Sequence, residues 1–290
     1  MRKLRNRIKF IIGIIALCIC AVSYFNTEPT VTDNNSNFVY SENALRVHFI
    51  DVGQADCTLV ELPQGITMLI DAGNNDDGDD VVSYLKMCGI EKVDVLVGTH
   101  PHEDHIGGLD DVINSFQIGE IYMPKVQSNT KTFRDVLEAV KQNNLTVKTA
   151  KTGVNIITDD GLNIKFVAPV SDWYEELNNY SAVIHLKYKN KAFLFTGDAE
   201  KLSENEITDD ISADVLKVGH HGSRTSTGEE FFYRVNPEYV YIPCGAGNDY
   251  GHPHKETMKL LNSSDVEVCR ADTDGTVIFE TDGENLRVVE

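Results

Sequence analysis

Residues 97–108 read V-G-T-H-P-H-E-D-H-I-G-G and follow an apolar run at 93–97. That run has the make-up of a buried strand, so the loop after it leaves a rigid element. Within six positions the loop carries His100, His102, Asp104 and His105. Histidines two apart on an extended or tightly turning loop can aim imidazole nitrogens at one ion. The Asp-His pair behind them can reach a second ion a few ångströms away. Imidazole beside carboxylate is the mixed nitrogen and oxygen set of hydrolytic zinc sites, and Gly107-Gly108 lets the backbone turn tightly around it. The spacing therefore suits two adjacent metals held at a strand end.

The chain has 290 residues, 41% of them hydrophobic and 24% charged, which fits one large globular domain. Its first nine residues hold Arg2, Lys3, Arg5, Arg7 and Lys9 with no acid, and residues 10–25 are uncharged and mostly apolar. This is a membrane-targeting pattern. The run is short for a span of about 20 residues, although Ile8, Asn26 and Thr27 extend it. The alternatives are an N-terminal transmembrane helix, with the positive flank in the cytoplasm and the rest outside, and a cleaved signal peptide. Residues 1–26 are thus assigned to an anchor or signal, 27–43 to a flexible polar tether, and 44–290 to the folded domain. Taking away the first 25 residues leaves 21 basic against 45 acidic residues, a formal charge of −24. A nucleic-acid binder normally shows a basic footprint, so this charge argues against unaided tight binding to DNA or RNA. Bound cations change that local field. Cys57, Cys88, Cys244 and Cys269 are widely scattered, without a metal pair or a compact disulfide framework, and read as free thiols, with one disulfide as the alternative in an extracytoplasmic domain.

Along the domain, residues 45–52, 57–62 and 67–70 read as a β-meander with a turn at 63–65. A helix over 79–88 capped by Gly89 precedes the strand at 93–97. Helices are expected at 109–116 and 132–142, with strands at 120–123, 163–168, 182–188 and 192–196. Helices and strands then alternate: helices near 199–207, 227–235 and 255–261, strands at 213–218 and 239–242, and closing strands to 289. This mixed α/β (α+β) order with β-rich openings to both halves implies packed sheets with helices outside.

Further polar segments stand at strand ends, where loops on a rigid scaffold converge. Residues 196–200, T-G-D-A-E, offer Asp198 as a carboxylate able to bridge two metals. Residues 217–223, K-V-G-H-H-G-S, offer His220 and His221, one able to ligate while the other supports it or meets substrate. Residues 245–254 add Asn248, Tyr250, His252 and His254. Asp51, Asp56 and Asp71 are carboxylates suited to stand behind the ligands. Seven of the nine histidines fall into three strand-end loops. The other two, His48 and His185, alternate within strands and read as structural.

In order, these segments resemble the metallo-β-lactamase fold superfamily. H-P-H-E-D-H matches its H-x-H-x-D-H signature. The succession F-I-D-V-G-Q-A-D, L-I-D-A-G, T-H-P-H-E-D-H-I-G-G, F-T-G-D-A-E, K-V-G-H-H-G-S, N-D-Y-G-H-P-H is similar to the hydrolase domain of ComEC/Rec2 competence proteins. The resemblance runs over about residues 45–289, without the channel region of those proteins. It implies a four-layer αββα sandwich with two Zn2+, or Mn2+, at the edge of the sheets. By position His100 and His102 would hold one ion, Asp104 and His105 the other, and Asp198 both, with His220 completing the first site and His252 the second. Many members carry a further histidine ligand between the signature and the bridging Asp. Only His185 lies in that interval, inside a strand, which leaves His220 and His221 both open as ligand.

The function expected is an extracytoplasmic binuclear metallo-hydrolase acting through a metal-bridging hydroxide on a phosphodiester, in a nucleic acid or a cell-wall polymer. Asp104, His221, Asn248 and Tyr250 are the candidate catalytic groups, to orient the attacking hydroxide, contact phosphate oxygens or protonate the leaving group. The alternatives are hydrolysis of a β-lactam, lactone or thioester, and a non-catalytic, metal-stabilised surface binding module. The membrane is met through the N-terminal segment, and no feature of the sequence identifies a protein partner.

Overall fold

The computed structural model describes residues 44–159 and 161–289. The expected anchor or signal and the tether lie outside the described residues, among which no helix is long and apolar enough to cross a membrane.

Fifteen strands among these residues form two sheets. The N-terminal sheet holds β1 (Leu45–Phe49), β2 (Thr58–Glu61), β3 (Thr67–Ile70), β4 (Lys92–Val97), β5 (Gln117–Met123) and β6 (Val147–Thr149), and closes with β14 (Val277–Thr281) and β15 (Leu286–Val289), in the order β15-β14-β1-β2-β3-β4-β5-β6. The second holds β7 (Asn155–Asp159), β8 (Leu162–Ala168), β9 (Val183–Tyr188), β10 (Lys191–Phe195), β11 (Val215–Lys217), β12 (Tyr239–Ile242) and β13 (Glu267–Arg270), in the order β13-β12-β11-β10-β9-β8-β7. The returning β14 beside β1 ties the C-terminal end of the domain to its start, with Val47 opposite Phe279.

Side-chain alternation makes these sheets the two middle layers. In β3, Met68 and Ile70 enter the core shared by both sheets while Leu69 faces helices. In β10, Phe193 and Phe195 point to the shared core and Ala192 and Leu194 to the opposite face. Phe49 and Tyr241, from the two sheets, stack with ring centroids 4.6 Å apart in that core. On the outer face of the first sheet lie α1 (Gly78–Met87), α3 (Leu109–Ser115) and α4 (Lys131–Gln142), through Val81, Leu85, Val112 and Val136. Helices α6 (Glu229–Val235) and α7 (Lys255–Asn262) cover the second through Phe231, Phe232 and Leu261, beside Ile207 at the end of α5 (Lys201–Glu206). The result is the expected αββα sandwich. The short strands β6 and β7 and the one-turn helices α2 (Glu103–Ile106) and α8 (Ala271–Asp274) are additions to the expected order.

Strand direction decides where chemistry collects. β3 and β4 are parallel, and β10, β11 and β12 are parallel to one another. β1 is antiparallel to β2, which is antiparallel to β3, so β1 runs with β3 and β4. The loops leaving β1, β3 and β4 therefore share one edge of their sheet, as those leaving β10, β11 and β12 share one edge of theirs.

Candidate metal centre

The loop after β4 is locked to its neighbours by backbone hydrogen bonds. Asp56 N donates to Asp104 O at 3.0 Å, Ala72 N to His105 O at 2.8 Å, and Gly107 N to Gly73 O at 2.9 Å. A Cβ on Gly107 would stand 2.2 Å from the Asn74 carbonyl carbon, and one on Gly108 2.5 Å from Ala72 O, so only glycine allows this approach. His105 and Asp104 are thereby fixed on α2, with His100 and His102 before it.

Asp71, at the end of β3, holds the loop from beneath. It accepts from Thr99 N at 2.8 Å and Thr99 Oγ1 at 2.6 Å, and its Oδ2 lies 2.8 Å from His105 Nδ1. Its φ of +59° is the left-handed region that carboxylates tolerate at a cost. With Nδ1 donating to Asp71, His105 keeps Nε2 for the site. His221 is oriented alike: Nδ1 donates to Pro243 O at 2.7 Å, which leaves Nε2 facing the carboxylates. Its backbone, like that of His220, is left-handed at φ +52° and +51°. Two such residues in succession are stored strain at a functional loop.

Four residues bring ligand atoms within 4.8 Å of one another: Asp104, His105, Asp198 and His221. His105 Nε2 lies 3.1 Å from Asp198 Oδ1, and His221 Nε2 lies 3.2 Å from Asp104 Oδ2 and 3.6 Å from Asp198 Oδ2. Ligands held about 2.1 Å from a tetrahedral ion are about 3.4 Å apart. Beside this group, His100 Nε2 and His102 Nδ1 face one another at 3.0 Å. His100 is fully buried and its ring centroid is 4.2 Å from that of His105.

These residues fit a cation on two independent grounds. His105 Nε2 and Asp198 Oδ1 are buried and, despite their short approach, neither has a hydrogen bond among the described residues. Unpaired buried polar atoms cost about 1–3 kcal/mol each, and a shared cation satisfies both. The second ground is charge. Asp56, Asp71, Asp104 and Asp198 converge here, with Lys217 pairing tightly to Asp56 Oδ2 and donating to Gly197 O at 2.7 Å. Burial raises Asp71 above the usual carboxylate range, in spite of His105. Burial would lower His105, but Asp198, Asp56, Asp71 and Asp104 outweigh it and hold the imidazole well above its ordinary value. Burial would raise Asp198 and Asp104, but His105 and His221 outweigh it and hold both carboxyls below their ordinary range. His100 is held well below, chiefly by burial, and so is a neutral donor. Cations would take over the neutralising role that protons play at His105 and His221.

The open side is a cleft of about 320 Å³ lined by Gln54, His102, Glu103, Asp104, Asn178, Asp198, His220, His221, Tyr250 and His252. His220 does not enter the four-residue group. Its Nε2 is 3.7 Å from Asp198 Oδ2 and its Nδ1 is 3.2 Å from Thr225 Oγ1. The ligand-like position between the two adjacent histidines falls to His221. His252 sits further out, ring-stacked against Tyr250 at 5.6 Å and 3.4 Å from Gln54 Nε2. Burial and the neighbouring His221 and His220 bring it down to about 4.

Tyr250 is largely exposed at the cleft mouth. Asn248, expected to meet substrate, spends its amide inside its own loop. It donates to Gly245 O at 2.9 Å and His252 O at 2.7 Å and accepts from His252 N at 3.0 Å, which fixes His252. Asp56 and Asp71 stand behind the ligands, as expected of them, whereas Asp51 is exposed and accepts from Gly53 N. His254 accepts from Arg224 N at 3.1 Å. His48 bonds Tyr84 and Glu61, and His185 bonds Ser212 O, both within their strands' own surroundings. Cys57, Cys88, Cys244 and Cys269 are free thiols. Gln54, Glu103 and Asn178 reach the cleft without having been singled out. Gln54 and Glu103 lay inside stretches already of interest, but Asn178 had no sequence signal of its own.

An αββα sandwich that gathers histidines and aspartates from both sheets at one edge is the architecture of a metallo-hydrolase. The chain belongs to the metallo-beta-lactamase superfamily, whose sequence profile matches residues 50–246. It is 32% identical over 253 residues to ComE operon protein 3 of Bacillus subtilis (strain 168), covering 80% of this chain and 32% of that protein. To Recombination protein 2 of Haemophilus influenzae it is 26% identical over 264 residues, covering 89% and 30%. The chain spans about a third of the length of these curated relatives. Among solved structures, Igni18, a metallo hydrolase from Ignicoccus hospitalis, superposes with a TM-score of 0.52 at 19% identity, over 82% of this chain and 99% of that one. At that identity the match shows the fold.

Proposed function

We propose that this chain is a binuclear metal-dependent phosphodiesterase. The observation that carries the reading is the arrangement around Asp198. Its two oxygens face His105 and His221, and the His100–His102 pair stands beside His105, with the His100 and His105 ring centroids 4.2 Å apart. Asp104, His105, Asp198 and His221 would hold one ion, and His100 and His102, with Asp198, would hold the other. Zinc suits the imidazoles and manganese suits the carboxylates. Divalent ions at these donors supply Lewis acidity and a water that ionises near neutral pH.

The chain's own residues do the rest. Asp71 and the Pro243 carbonyl keep His105 and His221 in the tautomer that offers Nε2 inward. Lys217 holds Asp56 and the Gly197 carbonyl, which fixes the backbone just before Asp198. Asp104 is a third exposed and borders the cleft, where its carboxylate can orient an attacking water. His220, His252 and Tyr250 line the outer cleft with polar atoms suited to phosphate oxygens and a leaving group.

The names of the relatives favour a phosphodiester over a lactam, since two are named Recombination protein 2 and Competence protein ComA. The charge of −19 pulls the other way from long nucleic acids, toward short or anchored phosphodiesters. The basic, then apolar, N-terminus supports attachment to the cell membrane with the domain outside the cytoplasm. The purified full-length chain, supplied with zinc or manganese, is to be assayed on bis-p-nitrophenyl phosphate, single-stranded DNA and nitrocefin. Phosphodiester turnover lost in His102→Ala and Asp104→Ala supports the reading. Turnover of nitrocefin alone, or phosphodiester turnover that survives both substitutions, overturns it.

A further inference from the structure

The His100–His102 pair and Asp198 make three donors for the outer ion, one short of a closed four-coordinate set. The segment before β9 stands next to them. Residues Leu177–Tyr180 form a 3-10 turn pinned from three sides. Ala182 N donates to Thr99 O at 2.9 Å, on the metal loop, and Asp198 N donates to Ser181 Oγ at 3.0 Å. Asn179 accepts from Ser203 N and donates to Glu200 Oε2. Its neighbour Asn178 is differently placed. It is 9% exposed and lines the cleft with His102, Asp198 and His220, its Nδ2 lies 3.3 Å from His220 Nδ1, and its Oδ1 is buried with no hydrogen-bond partner among the described residues.

Resting on the binuclear reading, we propose that Asn178 Oδ1 is the remaining protein ligand of the ion held by His100 and His102, with Nδ2 orienting His220. An amide oxygen buried without a partner is costly, and a cation is the partner that this cleft can offer. His220 is the competing candidate. It lies 3.7 Å from Asp198 and 3.9 Å from Glu200, keeps a hydroxyl contact at Thr225, and is oriented by the same amide, which suits the substrate side of the cleft. A carboxamide is a harder donor than imidazole, so the outer ion should tolerate Mn2+ better than a site built from histidines alone.

The test is metal content and affinity of the full-length chain, by elemental analysis after equilibrium dialysis against Mn2+ and Zn2+ and by the visible spectrum of the Co2+-loaded protein. Thermal unfolding of each variant is followed in parallel. Wild type is expected to hold two ions per chain and Asn178→Ala one, with the weaker affinity falling at least about 100-fold, beyond the loss typical of a residue behind a ligand. Asn178→Asp and Asn178→His, which keep a donor at the position, are expected to restore two ions, the histidine shifting preference from Mn2+ toward Zn2+. His220→Ala is expected to keep both. The proposal is overturned by two ions at unchanged affinity in Asn178→Ala, or by loss of an ion in His220→Ala alone. Fewer than two ions in wild type would instead sink the binuclear reading beneath it.

Discussion

His221 Nε2 stands 3.2 Å from Asp104 Oδ2, across 117 residues of sequence, while its Nδ1 is tied to the Pro243 carbonyl. This contact joins the two sheets at their common functional edge, for Asp104 follows β4 of one and His221 follows β11 of the other. It also selects His221, among adjacent histidines, as the residue facing the carboxylates. His221→Ala should therefore weaken binding of the ion proposed for Asp104, His105, Asp198 and His221 by at least about 100-fold, since a ligand matters more than the residues behind it. Competition with a fluorescent zinc chelator measures it.

Asp71 meets the site through His105 and Thr99. Asp71→Asn keeps the shape but loses the charge that favours His105 with Nδ1 protonated. Zinc affinity should fall about 10–100-fold with the fold retained, the range for partners of ligating histidines. Isothermal titration with zinc, alongside circular dichroism, checks both halves.

Lys217 is buried against Asp56. Removing the ammonium in Lys217→Met strands a buried carboxylate, a loss of about 3–5 kcal/mol. Urea unfolding of the metal-free chain should show it, and Asp56→Asn in the same chain should recover part of it. Lys131, paired to Asp135 on the surface, should show no comparable shift.

Glu204 is buried in α5 and accepts from Thr227 N and Gly228 N at the start of α6, and burial pushes its carboxyl up to about 7 from 4.5. Because the folded value lies above the unfolded one, the native state holds the proton longer. Its contribution to stability is complete below about pH 4.5 and is lost as pH rises toward 7, a change of about 3 kcal/mol. Unfolding midpoints between pH 5 and 8 should fall more steeply for wild type than for Glu204→Gln.

Much of the site was legible because ligands cluster in sequence where a strand ends. His100, His102, Asp104 and His105 announce themselves by density alone, and Asp198 by its place after F-L-F. The choice between His220 and His221 was not legible, since it depends on two left-handed residues and a carbonyl from Pro243. Asn178 was invisible for a similar reason: an Asn-Asn pair in a polar turn looks like any loop until the fold leaves one amide oxygen buried and unpaired. The long helix α4 followed from its one apolar face. The strands β6 and β7 did not, because their residues are mostly exposed and carry little alternation.

The most direct measurement is the rate of bis-p-nitrophenyl phosphate hydrolysis by the full-length chain as metal is added in known equivalents. The binuclear account expects little turnover at one equivalent, a steep rise as the second is bound, and loss of that rise in Asp198→Asn. Full turnover at one equivalent, or an unchanged titration in Asp198→Asn, would contradict it.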